Sequence, residues 1–148
     1  MTFYNKIKNI IFDLGDVLID LDENRTIKGF GKNISTFYED SMNSNFVEIA
    51  HQFERGEITA NKFRDNVSEI FNINLPPDEF DFYWNAMIVG MPNSRITMLK
   101  NLSEKFNIYV LSNTNQIHYD FFTQQDYWKP ELFDKVYFSH QLKMRKPE

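Results

Sequence analysis

The sequence predicts an α/β protein, a parallel sheet flanked by helices and interrupted after its first strand by a helical bundle. Three observations carry this reading. The short apolar runs Ile10-Ile11-Phe12, Ile108-Tyr109-Val110-Leu111 and Val136-Tyr137-Phe138 lack polar alternation, as strands covered on both faces do. Before the second run, Pro92-Asn93-Ser94 opens a stretch with Ile96, Leu99, Leu102 and Phe106 at helical spacing, and a capped helix feeding a buried strand is half of a βαβ unit. Between the first run and Pro92, apolar residues recur at helical spacing and no strand-like run interrupts them.

The composition agrees. A chain of 148 residues suits one domain, or a small domain with an insert, and 42% hydrophobic with 25% charged residues is a globular composition. The 15 Phe and 7 Tyr supply ample core material. With 0 Cys there is no disulfide scaffold or thiolate metal site, which fits a reducing cytoplasm. The net charge of -5 argues against a general nucleic-acid binder. No apolar run approaches the roughly 20 residues that span a bilayer, and Met1 to Lys8 meets Asp13 too soon to read as a signal peptide. The expectation is a cytoplasmic protein with neither membrane nor nucleic-acid partner.

Along the chain, the strand at Ile10-Ile11-Phe12 ends in Asp13-Leu14-Gly15-Asp16. Phe46, Ile49 and Phe53 then form one apolar stripe, stopped near Gly56. Phe63, Val67, Ile70 and Phe71 form a second, capped by Thr59, and Phe80, Tyr83, Trp84 and Met87 a third, entered through Pro76-Pro77-Asp78. These divide the chain into a discontinuous core, residues 1–20 and 92–148, and a helical cap, residues 21–91. After the second strand the segment from Gln116 to Asp134 is less regular, with a helix over its start, Ile117 to Phe122.

Chemistry-bearing residues follow each strand. Asp13 places a carboxylate at the carboxyl edge of a parallel sheet, where such folds bind ligands, and Gly15 lets the backbone approach closely. Ser112-Asn113-Thr114-Asn115 places a hydroxyl and backbone N–H groups at the end of the second strand, a corner suited to phosphate. Lys143-Met144-Arg145-Lys146-Pro147-Glu148 follows the third strand and offers a cation for the same anion. His51, His118 and His140 show no ligand spacing and read as surface or packing residues.

In that order, these motifs resemble those of the haloacid-dehalogenase-like (HAD) hydrolase superfamily. Asp13 matches its nucleophile, Ser112-Asn113 its second motif and Lys146 its Lys-Pro lysine. Asp13-Leu14-Gly15-Asp16-Val17, Asp22-Glu23-Asn24-Arg25, Phe53-Glu54-Arg55-Gly56-Glu57-Ile58 and Met144-Arg145-Lys146-Pro147-Glu148 are similar to the branch that contains bacterial α-D-glucose-1-phosphate phosphatase. The resemblance implies a Rossmann-like parallel-sheet core with an inserted helical cap, and a Mg²⁺-dependent phosphatase of small phosphorylated metabolites, sugar phosphates among them. It implies Asp13 as nucleophile forming an aspartyl-phosphate, Lys146 as the neutralising cation, Ser112 and Asn113 as phosphate ligands, and Asp13 with the Gly15 carbonyl as metal ligands. Arg25 and Arg55 become candidates for substrate binding from the cap.

Two departures matter. Gly15 stands where many of these phosphatases carry a second Asp as general acid and base, so the proton donor is unassigned; the adjacent Asp16 is a lesser candidate, because a one-residue shift after a strand end changes the direction of the side chain. The remaining Mg²⁺ carboxylates belong to a fourth motif that would follow Glu148, so the expectation is an incomplete core of strands one to three, truncated and inactive alone. The first strand then becomes an open sheet edge through which copies could associate. A haloacid dehalogenase, which would carry an aromatic residue at Gly15, and a non-catalytic phosphate-binding module are the alternatives.

Overall fold

The computed structural model describes residues 6–148, and the readings that fall on residues 1–5 lie outside them. The apolar runs form three parallel strands, β1 (Asn9–Phe12), β4 (Asn107–Ser112) and β5 (Lys135–Phe138), in the order β1-β4-β5. The register sets Phe12 beside Val110 and Ser112 beside Phe138, so all three chains leave the sheet at the same edge. Helix α6 (Asn93–Ser103) delivers the chain to β4, and α7 (Gln116–Phe122) follows it. A short α8 (Ser139–Leu142) ends on Lys143, which takes the left-handed conformation at φ 60°.

One face of the sheet is packed. Ile108 and Val110 are fully buried there against Leu99 of α6 and Phe122 of α7. The expectation of two covered faces fails for the other side: Ile11 is 67% exposed, and Ile11, Tyr109, Leu111 and Tyr137 line an open groove. A lack of polar alternation shows that both faces are apolar. It does not show that both have a cover among the described residues.

Between β1 and α6 runs a two-stranded antiparallel ribbon, β2 (Asp20–Leu21) with β3 (Ile88–Gly90), enclosing five helices. These are α1 (Glu23–Gly29), α2 (Ile34–Met42), α3 (Phe46–Glu54), α4 (Ala60–Phe71) and α5 (Pro77–Asn85). The last three coincide with the three apolar stripes, and the Thr59 side chain accepts from Lys62 N as expected of a cap. The ribbon corrects the expectation that no strand interrupts this stretch: a pairing of two to three residues is too short to leave a periodic pattern.

The insert has a core of its own, built of aromatic rings. Phe37 stacks on Phe71, and Phe53 on Phe63, each at 4.2 Å between centroids. Such pairs contribute about 0.5–1.5 kcal/mol beyond the area they bury. Ile117 of α7 joins this cluster, so the insert rests on the helix that follows β4.

Candidate active site

Because the three strands end together, the residues just beyond them meet. Asp13, one residue past β1, holds its side chain in place by accepting from Leu14 N at 2.7 Å through Oδ1. Its other oxygen, Oδ2, lies 2.8 Å from Nζ of Lys146. That ammonium also donates to the carbonyl of Leu111 at 2.9 Å, so the lysine spans the carboxyl ends of β1 and β4. Both partners keep access to solvent, with the Asp13 side chain 48% exposed. A carboxylate beside a fixed cation, at the rim of a parallel sheet, can receive an electrophilic anion whose charge the cation offsets.

Ser112 ends β4 as a buried residue, its Oγ donating only weakly, to Asn113 O at 3.3 Å. Asn113 does something that the sequence did not reveal. Its side chain accepts from Lys146 N at 2.8 Å and donates to Lys146 O at 3.1 Å, a reciprocal pair that clamps the lysine's backbone. Thr114 N donates to Ser139 Oγ, and that hydroxyl donates back to Thr114 O, both at 2.9 Å. The backbone N–H of Thr114 is therefore consumed within the fold.

Arg25 and Arg55, the two candidates from the insert, make their ion pairs with carboxylates outside this cluster. Arg25 pairs with Asp22 on its own exposed surface. Arg55, just past α3, is held by Glu57, Glu48 and Glu148, the first at 2.8 Å and the others at 3.1 Å. The hydrogen bond to Glu57 above all pushes its pKa up from the ordinary value. Arg145 Nε binds Glu54 at 2.8 Å, and Lys143 Nζ donates to Gly56 O at 2.7 Å. The segment from Glu54 to Glu57 is thus fastened to the loop that carries Lys146. Gly56, at φ 63°, is required there: a Cβ would come within 2.4 Å of the His140 carbonyl.

At Gly15, a Cβ would lie 2.9 Å from Leu21 Cδ1, so the flank of the ribbon occupies the space an acidic side chain would need. Asp16 turns away at φ 54° and accepts from Leu21 N at 3.1 Å. Beyond Gly15 lies a cavity of about 70 Å³ that Ser112, Asn113, Met87 and His118 also line. A second cavity, of about 170 Å³, runs from Ser112 and Asn113 along Lys146. His118 is the functional candidate that sequence reasoning passed over. Its Nδ1 lies 2.8 Å from Asn85 Oδ1, its ring stacks on Trp84 at 5.4 Å and 3°, and burial pulls its pKa down to about 3. Its one sequence signal was its position on the first turn after Asn115, which caps α7 through His118 N. His140 is also held neutral, chiefly by burial, but its ring nitrogens meet no partner.

For a metal, the site offers the Asp13 carboxylate and the Gly15 carbonyl, which accepts no hydrogen bond among the described residues. Both are hard oxygen donors of the kind Mg²⁺ takes. Among the described residues no group of three or more His, Asp or Glu side chains is placed to hold an ion.

A parallel sheet with a carboxylate and a hydroxyl at the ends of two strands, and a lysine from the segment after the third, defines a Rossmann-like α/β protein with an anion-receiving site at its carboxyl edge. No family model matches the chain. Among solved structures, it is similar to a HAD family enzyme of Bacteroides thetaiotaomicron, at 36% identity and a TM-score of 0.81, covering 96% of this chain and 73% of that one. That enzyme has also been solved in complex with magnesium and inorganic phosphate. A HAD-like family hydrolase of Porphyromonas gingivalis shares the fold, with 24% identity, a TM-score of 0.77 and coverage of 96% and 71%. Among curated proteins it is similar to D-ribitol-5-phosphate phosphatase of Bacteroides thetaiotaomicron, 26% identical over 95% of this chain and 71% of that protein. The chain belongs to the HAD-like hydrolase superfamily.

Proposed function

We propose that the chain is a Mg²⁺-dependent phosphatase of small phosphorylated metabolites, sugar or polyol phosphates, working through an aspartyl-phosphate on Asp13. The observation that carries this is the Asp13–Lys146 pair at the shared strand edge, next to the Ser112 hydroxyl. An Asp13 oxygen attacks phosphorus, the P–O bond to the leaving group breaks, and the departing alkoxide takes a proton from water, Gly15 offering none. Water then hydrolyses the acyl phosphate and frees Asp13. Lys146 offsets the charge of both the phosphoryl group and the nucleophile, Ser112 donates to a phosphoryl oxygen, and the Asn113 side chain keeps Lys146 in place. Asp13 and the Gly15 carbonyl would hold Mg²⁺, which supplies further charge stabilisation when bound.

The relatives support this reading, one by its magnesium and phosphate complexes and one by its phosphatase activity. Residues 1–20 and 92–148 read as the core, residues 21–91 as a helical cap, and Arg25 and Arg55 as cap residues whose carboxylate partners a substrate would have to replace. Among the described residues the site offers two oxygen ligands, so turnover is expected to need a high Mg²⁺ concentration. The test is phosphate release from a panel of sugar and polyol phosphates across a Mg²⁺ titration, beside Asp13→Asn. Release that the mutant retains overturns the assignment.

The open edge of β1 and the uncovered face beside Ile11 support association between copies. Sedimentation at rising concentration should show dimers or larger species. A concentration-independent monomer with a cooperative melt rules this out. Among the described residues no helix is long and apolar enough to cross a membrane.

A further inference from the structure

His118 stands between the two parts of the molecule. Its backbone belongs to α7, directly after the Ser112-Asn113 corner, while its ring is gripped by the insert through Asn85 and Trp84, at the end of α5. The grip fixes the tautomer. An amide oxygen can only accept, so Nδ1 carries the proton and Nε2 is left with a lone pair. That second nitrogen has no hydrogen-bond partner among the described residues, yet it is not one of the fully occluded unpaired atoms, as both ring nitrogens of His140 are.

The ring also lines the cavity of about 70 Å³ that begins at Gly15 and Ser112. Most of that cavity's wall is apolar, and of its lining residues His118 alone titrates. A water needs about 10–15 Å³ of such space, so the cavity admits a few small polar groups beside the imidazole. Position 15 carries no side chain, so the polar side chains that line the cavity are those of His118, Ser112, Asn113 and Thr114.

We propose that Nε2 of His118 accepts a hydrogen bond from a hydroxyl on the leaving group, close to the scissile ester, and so selects phosphate esters of polyhydroxylated alcohols over plain alkyl phosphates. The location of the ester rests on the phosphatase reading above; the acceptor does not. Burial holds the imidazole neutral through the physiological range, which suits an acceptor and disfavours a proton donor. An alkyl phosphate would leave the lone pair desolvated and unpaired, and that asymmetry is what discriminates.

The experiment uses glycerol 3-phosphate and propyl phosphate, equal in carbon number and different in hydroxyls. In Asp13→Asn protein with Mg²⁺ and ¹⁵N-labelled histidine, glycerol 3-phosphate is expected to shift the Nε2 resonance of His118 upfield, and propyl phosphate to leave it in place. Binding of glycerol 3-phosphate, followed by calorimetry, with no Nε2 shift overturns the proposal, and so does propyl phosphate binding as tightly with the same shift. In wild-type chain, kcat/KM is expected to favour glycerol 3-phosphate by about tenfold, the weight of one net hydrogen bond. His118→Leu should erase that preference, while His118→Gln, which keeps an acceptor, should retain part of it; a preference untouched by His118→Leu overturns the proposal. An Nε2 shift without any phosphate release sinks the phosphatase reading and leaves the acceptor standing. Release without shift or preference does the reverse.

Discussion

The sheet and the insert are stabilised in different ways, and the site inherits something from each. The sheet buries aliphatic residues and a ring cluster of Phe122, Trp128 and Phe138 on one face, with Asp13 and Lys146 near solvent beyond its carboxyl edge and Ser112 buried at the end of β4. The insert buries stacked rings, rests on α7 through Ile117 and the Trp84–His118 stack, and meets the loop that carries Lys146 through charges, Glu54 with Arg145 and Arg55 with Glu148. What the difference teaches is a division of labour. The proposed reacting groups depend on strand register, whereas the surroundings of the proposed leaving group depend on how the insert sits. Perturbing one region should therefore leave a distinct signature from perturbing the other.

The sharpest break is Asp13→Asn. Losing a nucleophile that acts as part of a unit costs about 10⁴–10⁶ in rate, while an exposed side chain with one local hydrogen bond contributes little to folding. Phosphate release should vanish with the melting temperature unchanged. Phe63→Ala is the counterpart in the insert. Phe63 is 1% exposed and stacked on Phe53, so truncation should destabilise by about 3–5 kcal/mol in chemical denaturation. If the two regions melt separately, that variant should show a second transition with the sheet's transition preserved.

How much of this could be read beforehand follows the same division. The strands at Ile10, Ile108 and Val136 were legible because buried strands are continuous apolar runs, and the candidates with them because Asp13 follows β1, Ser112 closes β4 and Lys146 lies in the segment after β5 and α8. Helices α3, α4 and α5 were legible from their stripes. Helix α1 was not, since Thr26 and Ile27 are its only buried residues, and the β2–β3 ribbon was too short to register. The Asn113–Lys146 clamp and the Arg55–Glu148 pair link residues 33 and 93 positions apart, and no local pattern encodes such a partner. His118 looked like a packing residue because its meaning lies in Asn85, which a different region supplies.

That junction makes stability depend on acid. The folded-state pKa of His118 is lowered from 6.5 to about 3, so the unfolded chain binds an extra proton between those values. Stability from this group is complete above 6.5 and falls as the pH drops through that window, by about 1.4 kcal/mol per pH unit. His140, lowered in the same direction, steepens the fall. Denaturant melts at pH 7, 6 and 5 should show this slope, and His118→Leu should flatten it. An unchanged slope would mean that His118 is solvated and that the insert does not close over it.

The smallest expected effect probes the contact between the regions most directly. Glu54→Gln removes the charge that holds Arg145, one residue before Lys146, but keeps an oxygen for the guanidinium Nε. The side chains are 26% and 18% exposed, so the pair sits between the surface and buried cases, and its loss should cost about 1 kcal/mol. Global stability will barely register this. Activity should, because the loop from Lys143 to Lys146 is held on one side by the insert and on the other by Asn113. With one side loosened, Lys146 spends less time beside Asp13, and kcat is expected to fall about threefold to tenfold with KM for small phosphate esters little changed. Added salt should lower the wild-type rate toward that of the variant and leave the variant nearly insensitive, since screening acts on the same pair. A variant with the wild-type rate and salt response would show that Asn113 alone positions the lysine, and that the insert touches the catalytic loop without controlling it.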